Sequence, residues 1–180
     1  AEAVSSGFGF LPADRKAEAL FLNQTIAFNS SLGSLKRITK NGFLSPKSEE
    51  IAMSEDLSRV SLKYNYLSQE VQELSGGNQQ KVVLARWLGR KPEVLLLEEP
   101  TRGIDIRAKT EVYALIGEFV TNGGAVIMMS SDIPELVGVA HRVLVFYRGE
   151  ITAELTDNSI TAEAIAKFSY SEAITDELLA

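Results

Sequence analysis

Two short stretches of this chain carry residue types whose spacing could do chemistry. The first is Leu74-Ser75-Gly76-Gly77-Asn78-Gln79-Gln80-Lys81. A serine that can cap a helix beginning near Asn78, followed by two glycines, lets backbone N–H groups and the helix dipole meet an anion closely. A phosphate fits that description, and so does an ordinary Ser-Gly-Gly turn in front of a helix. The second stretch is Val94-Leu95-Leu96-Leu97-Glu98-Glu99-Pro100-Thr101. It reads as a buried parallel strand delivering two acids at its C-terminal end, where open α/β sheets place their ligand chemistry. One carboxylate there can hold Mg²⁺ through water, and the next can orient or deprotonate an attacking water. Two solvated loop acids would look the same in isolation. The occurrence of both stretches in one chain, one helix apart, favours the chemical reading.

These residues need a frame. Gly7-Phe8-Gly9-Phe10-Leu11-Pro12 reads as a short strand closed by proline, followed by the loop Ala13-Asp14-Arg15-Lys16. From Ala17 to Leu74 the pattern is polar with scattered helical spacing, broken by Asn41-Gly42 and Ser45-Pro46, and predicts a small helical lobe. Beyond it, helix and strand alternate. Gln79 to Leu88 is helical, and Val94 to Leu97 is a strand. Asp105 to Thr121 is a helix with Ala108, Val112, Leu115, Ile116 and Phe119 on one face, ended by Asn122-Gly123-Gly124. Ala125 to Met129 is a strand, Pro134 to Val139 a helix and Val143 to Tyr147 a further strand, which together predict an α/β fold with a parallel sheet and crossover helices. Arg148-Gly149-Glu150 turns the chain into an edge hairpin over Ile151 to Leu155, and an acidic, Ala-rich tail follows. The expected organisation is therefore a strand and loop in 1–16, a helical lobe in 17–74, the core in 75–155 and a helical tail in 156–180.

A chain of 180 residues, 45% of them hydrophobic, can bury one ordinary core. A net charge of -6 argues against nucleic acid as a partner, because little basic surface remains to neutralise phosphates. With no cysteine there is no disulfide framework or thiolate metal site, and a cytoplasmic setting is the expectation. No apolar run approaches the ~20 residues that span a bilayer, and no signal peptide pattern is present. The chain starts at Ala1 without methionine, which suggests a piece of a longer protein. His141 reads as structural or surface, and Trp87 as packing. Lys36-Arg37, Lys40 and Lys47 form a loose basic patch with solvated charge as the plain reading.

Leu74 to Lys81, followed by Leu95-Leu96-Leu97-Glu98-Glu99-Pro100-Thr101-Arg102-Gly103-Ile104-Asp105, resembles the ABC transporter ATPases. The nearest likeness is to the second nucleotide-binding domain of the tandem ATP-binding subunits of bacterial sugar importers of the ribose and galactose type. The resemblance is specific from Leu74 to Leu155 and continues more weakly through Phe10 to Lys16. It implies part of a P-loop NTPase fold, with ATP and Mg²⁺ as cofactors. Its partners would be a second nucleotide-binding domain and transmembrane permease subunits, at the inner face of the cell membrane. Ser75, Gly76, Gly77 and Asn78, with Gln79 beside them, would be the signature that closes on the γ-phosphate of ATP held by the opposite domain. Glu98 would be the metal-linked acid and Glu99 the base acting on water. Thr101 to Asp105 would be the loop crossing the domain interface, with Asp105 also suited to cap the next helix. Ser131 would stand at the switch position.

Several residues depart from that family's pattern. Glu98 replaces an aspartate and adds a methylene next to an octahedral metal shell. Ala13 stands where a glutamine or glutamate is expected, and Ser131 replaces a histidine. No glycine in the chain is followed by lysine, so the phosphate loop Gly-x-x-x-x-Gly-Lys-Ser/Thr is missing. The chain alone is thus expected to be inactive, and an open sheet edge could let copies pair non-natively. Two other readings stay open at this point. One is a non-catalytic half-domain that supplies its signature to a partner site. The other is the ATPase head of a DNA-maintenance protein, against which the acidic charge counts.

Overall fold

In a computed structural model describing residues 2–40, 43, 44 and 46–170, the chain begins with helix α1 (Glu2–Ser5), strand β1 (Phe8–Leu11) and a π-type turn (Arg15–Ala19). Helices α2 (Ile26–Ser31) and α3 (Leu35–Ile38), the short strands β2 (Thr39–Lys40) and β3 (Phe43–Leu44), and helix α4 (Pro46–Arg59) follow. A 3-10 turn (Val71–Glu73) leads into helix α5 (Gly76–Leu88), strand β4 (Val94–Glu98), helix α6 (Ile106–Thr121) and strand β5 (Ala125–Met129). Helix α7 (Ile133–Val139), strands β6 (Arg142–Tyr147) and β7 (Glu150–Thr156) and helix α8 (Ala162–Ser169) come last. The chain divides into two compact units, Ala1–Met129 and Ser130–Ala180.

In the first unit the apolar run of β4 forms the middle of a three-stranded parallel sheet, in the order β1-β4-β5. Leu95 and Leu97 are buried on one face, and the alternation of a pleated strand leaves Leu96 half-buried on the other. Leu11 lies opposite Leu97 and Glu98 opposite Met129, so the three strands finish along one edge. The parallel pair β4 and β5 is joined by α6, as a parallel connection requires. Ala108, Val112 and Ile116 of α6 are buried and Leu115 and Phe119 pack against the same core, the face expected from the periodicity. The lobe between β1 and β4 contributes Ile26, Met53, Leu57, Val60 and Val71 to that core. Trp87 packs against it too. Asn41-Gly42, Ser45 and residues 171–180 lie outside the described residues, as do the side chains of Lys36, Lys40 and Lys47. Arg37 of the basic patch is paired with the buried carboxylate of Asp56.

The parallel sheet differs from expectation in its membership. Val143 to Tyr147 is a strand and forms the expected antiparallel hairpin with β7, but the third strand paired in the parallel sheet is β1. The reason is local. Arg148 and Gly149, both with positive φ (50 and 88), form a two-residue reversal whose twist matches a hairpin, so β6 finds its partner at once. Val143, Val145, Ala153 and Leu155 cover one face of this hairpin with Ile165 and Phe168 of α8. Thr152 Oγ1 lies 3.2 Å from Val145 O and 2.9 Å from Phe168 O, which ties the hairpin to the helix. His141 is exposed just before β6.

Polar side chains on the inner face of α5 fasten it to its neighbours. Arg86 donates to the carbonyls of Asn29 (2.7 Å) and Ala19 (2.7 Å) in the lobe, and burial without an acid partner lowers its pKa to about 10. Lys81, fully buried, donates to Ser61 O (3.0 Å) and to the Glu111 carboxylate of α6 (2.6 Å). The Lys81 hydrogen bond holds the Glu111 carboxyl below its usual range, against the opposing effect of burial. A carboxylate whose folded pKa lies below its unfolded value stabilises the fold at neutral pH, and that contribution disappears as pH falls through the folded value. Glu111→Gln is therefore expected to lower the urea midpoint at pH 7. The gap between the variant and the parent should close as pH drops below about 4.5, the range where a free glutamate protonates.

Candidate functional site

The edge where the three parallel strands end carries the second stretch, and the start of α5 carries the first. Ser75 is exposed and is the N-cap of α5, its Oγ accepting from Asn78 N at 3.4 Å and from Asn78 Nδ2 at 3.2 Å. The helix starts at Gly76, so the N–H groups of Gly76 and Gly77 fall in the first turn, where no intrahelical acceptor exists. Two demands meet at the glycine pair. A Cβ on Gly77 would lie 2.5 Å from Cβ of Ala108, so this position is glycine because α5 and α6 touch there. Gly76 is half-buried, and a Cβ on it would lie 2.8 Å from Nη2 of Arg15 and 3.0 Å from the carbonyl oxygen of Gly103. Packing alone therefore accounts for small residues at both positions.

Gln79 points the other way from the helix entrance. It is buried and donates to Val71 O at 3.2 Å, which makes it an anchor to the lobe, where the sequence had suggested a ligand contact. Gln80 is buried as well and donates to Pro100 O at 2.7 Å. That bond joins α5 directly to the turn that follows the two acids.

Glu98 is the last residue of β4 and is half-buried. Glu99, also half-buried, has φ 46, a left-handed conformation that non-glycine residues adopt at a cost of roughly 1–3 kcal/mol. Its N–H donates to Met129 O at 2.7 Å, and its carbonyl accepts from Arg102 N at 3.1 Å. Among the described residues no group of three or more His, Cys, Asp or Glu could hold a metal ion. The donor set suits a cation that takes one or two carboxylates and completes its shell with water and phosphate oxygens, which is the habit of Mg²⁺.

Beyond the acids, Thr101 is buried while Arg102 and Gly103 are exposed. Asp105 caps α6, its Oδ1 accepting from Ala108 N at 2.9 Å, as the sequence implied. Ala13 follows β1 and is half-buried. Ser131 belongs to the second unit, where it is exposed in front of α7. Beside it Asp132 caps that helix by accepting from Glu135 N at 3.3 Å, and Ser130 Oγ accepts from Asp132 N at 3.0 Å. The first unit carries Ser75, Gly76 and Gly77 at the start of α5, Glu98 and Glu99 at the end of β4 and Asp105 at the start of α6, and Ser131 belongs to the second unit.

Three residues of this arrangement were not singled out from sequence: Arg15, Gln80 and Lys81. Gln80 and Lys81 could have been found as polar residues on the apolar face of a helix. Arg15 sits in a polar loop and gave no such signal.

The sequence profile of the family described as ABC transporter matches residues 4–102. The chain is 47% identical to the ribose import ATP-binding protein RbsA 2 of Mesorhizobium japonicum, over 92% of this chain and 32% of that protein. It is 43% identical to the ribose import ATP-binding protein RbsA of Lactococcus lactis subsp. lactis, over 94% of this chain and 34% of that protein. The chain spans about a third of the length of these curated relatives. Among solved structures, an inward-facing putative metal-chelate type ABC transporter superposes with a TM-score of 0.74 at 20% identity, covering 90% of this chain and 63% of that one. The dimeric post-hydrolysis ATP-binding cassette MJ0796 bound to ADP and Pi gives 0.69 at 22% identity, covering 84% and 63%. These two likenesses show the α/β cassette fold.

Proposed function

We propose, from the fact that this chain belongs to the ABC transporter family, that it is part of the ATP-binding component of an importer, with a sugar such as ribose as the solute. The complete polypeptide couples ATP hydrolysis to uptake. The observation that carries the reading is the direct fastening of α5, just after its capped start, to the acid-bearing turn through Gln80 to Pro100, with Lys81 holding the same helix to Glu111 of α6. A helix suited to meet phosphate and a strand end suited to handle water are joined by that Gln80 hydrogen bond. The names of the relatives supply the solute and the nucleotide.

In this reading Ser75, Gly76, Gly77 and Asn78 face the γ-phosphate of ATP held by a second nucleotide-binding domain. Glu98 faces the metal side, and Glu99 accepts a proton from the attacking water or orients it. Bound Mg²⁺ would neutralise phosphate charge beside Glu98. Thr101 to Asp105 crosses to the opposing domain, Ser131 occupies the switch position, and Gln79 supports the signature from behind. The lobe in 17–74 docks the transmembrane permease subunits, which places the protein on the cytoplasmic face of the membrane. No helix among the described residues is long and apolar enough to cross a membrane.

Glu98 in place of aspartate and Ala13 after β1 favour a second reading, in which the signature serves a partner site while this chain's own acids are idle. Turnover assays test the main reading. The 180-residue chain, in which no glycine precedes a lysine, is expected to hydrolyse no ATP. The complete polypeptide, assembled with its permease, is expected to hydrolyse ATP in a Mg²⁺-dependent way. Turnover by the isolated chain, free of contaminating ATPase, would refute the first statement, and an inert complete assembly would refute the second.

A further inference from the structure

Arg15 is held at its own end by the turn it opens, where Asp14 Oδ1 accepts from Lys16 N (3.0 Å) and Ala17 N (3.1 Å). Its side chain leaves that turn. Nη1 donates to Arg102 O at 2.9 Å, in the loop between Glu99 and Asp105. Nη2 lies over Gly76 at the entrance of α5, and Gly103 O approaches the same point, where a Cβ on that glycine would stand. Nε is buried without a hydrogen-bond partner. Burial holds the guanidinium below its ordinary pKa, only partly offset by Asp14. A partly buried cation hydrogen-bonded to a neutral carbonyl adds little to stability, so geometry is the better account of its presence. The planar, rigid fork of arginine suits that purpose, because one side chain can fix two backbones at a set angle.

We infer that Arg15 is a positioning residue, a strut that sets the Thr101 to Asp105 loop and the Gly76 turn relative to the segment leaving β1. Displacement of that segment then shifts both site segments together. The inference rests on the proposed roles of Ser75 to Asn78 and Thr101 to Asp105, and its test separates the two.

Amide hydrogen exchange on the 180-residue chain reads the strut without any nucleotide. Arg15→Ala is expected to speed exchange in residues 76–78 and 102–105 about tenfold while leaving β4 and β5 unchanged, the result of losing one local hydrogen bond. Arg15→Lys, which keeps a donor, should recover part of the protection. In the complete polypeptide Arg15→Ala should lower kcat about tenfold with KM for ATP within about twofold, as expected when alignment is lost and binding is not. Unchanged exchange in the two segments, a uniform rise across the core, or a change in KM with kcat intact would each overturn the inference. If the unmodified complete protein turns over no ATP, the functional reading fails, and the exchange pattern still decides the strut.

Discussion

Ser75→Arg is expected to lower ATP turnover of the complete polypeptide by about 10²-fold or more, the scale seen when a transition-state anion loses its preorganised donors. Ser75 is exposed and its hydroxyl serves the first turn of α5, so arginine removes the cap and fills the space in front of Gly76 and Gly77 with a long side chain. Loss of the cap alone costs about 1 kcal/mol of stability. That is too little to account for such a fall in rate. Denaturation and turnover measured on the same preparation therefore separate the two effects. A variant that melts nearly as the parent does but has lost turnover supports a phosphate-facing signature. A variant that keeps turnover within about threefold of the parent, the size of an ordinary peripheral effect, contradicts it.

The second large effect is at Glu99. Glu99→Gln keeps the shape and the left-handed backbone but removes the group that can take a proton, and kcat should fall by about 10²–10⁴-fold, the usual range for a lost general base. Affinity for ATP should stay nearly unchanged, because the amide still fits where the carboxylate stood. Here the two functional readings diverge. If Ser75→Arg stops turnover while Glu99→Gln leaves it intact, the chain donates its signature to a partner site and its own acids do no chemistry. If both variants stop it, the domain contributes to two composite sites.

Much of the fold was readable because its signals are local. The Ser75 and Asp105 caps, the length and face of α6 and the acids at the end of β4 depend on residues within a few positions of one another. The pairing of β1 with β4 was not readable, since the lobe intervenes and nothing in Phe8 to Leu11 names a partner. For β6 the strand and its hairpin with β7 were readable, and its membership in the parallel sheet was wrong, because the reversal at Arg148-Gly149 outweighs the α/β rhythm that precedes it. The site shows the same division. Ser75 and the two acids follow from residue type and spacing. Gly77 as a helix-packing glycine, Gln79 as an anchor and Arg15 as a link are decided by contacts between segments far apart in sequence, which a single chain of letters does not display.

The most direct test is a structure of the complete polypeptide with its permease, carrying Glu99→Gln and trapped with Mg²⁺ and ATP. The account predicts Ser75 Oγ and the first N–H groups of α5 about 3 Å from the γ-phosphate of a nucleotide held by the opposing domain, a normal hydrogen-bond distance. Residues 98 and 99 of the same domain should face a different nucleotide. A signature that touches no phosphate, or one that shares a single nucleotide with the acids of its own domain, would contradict it.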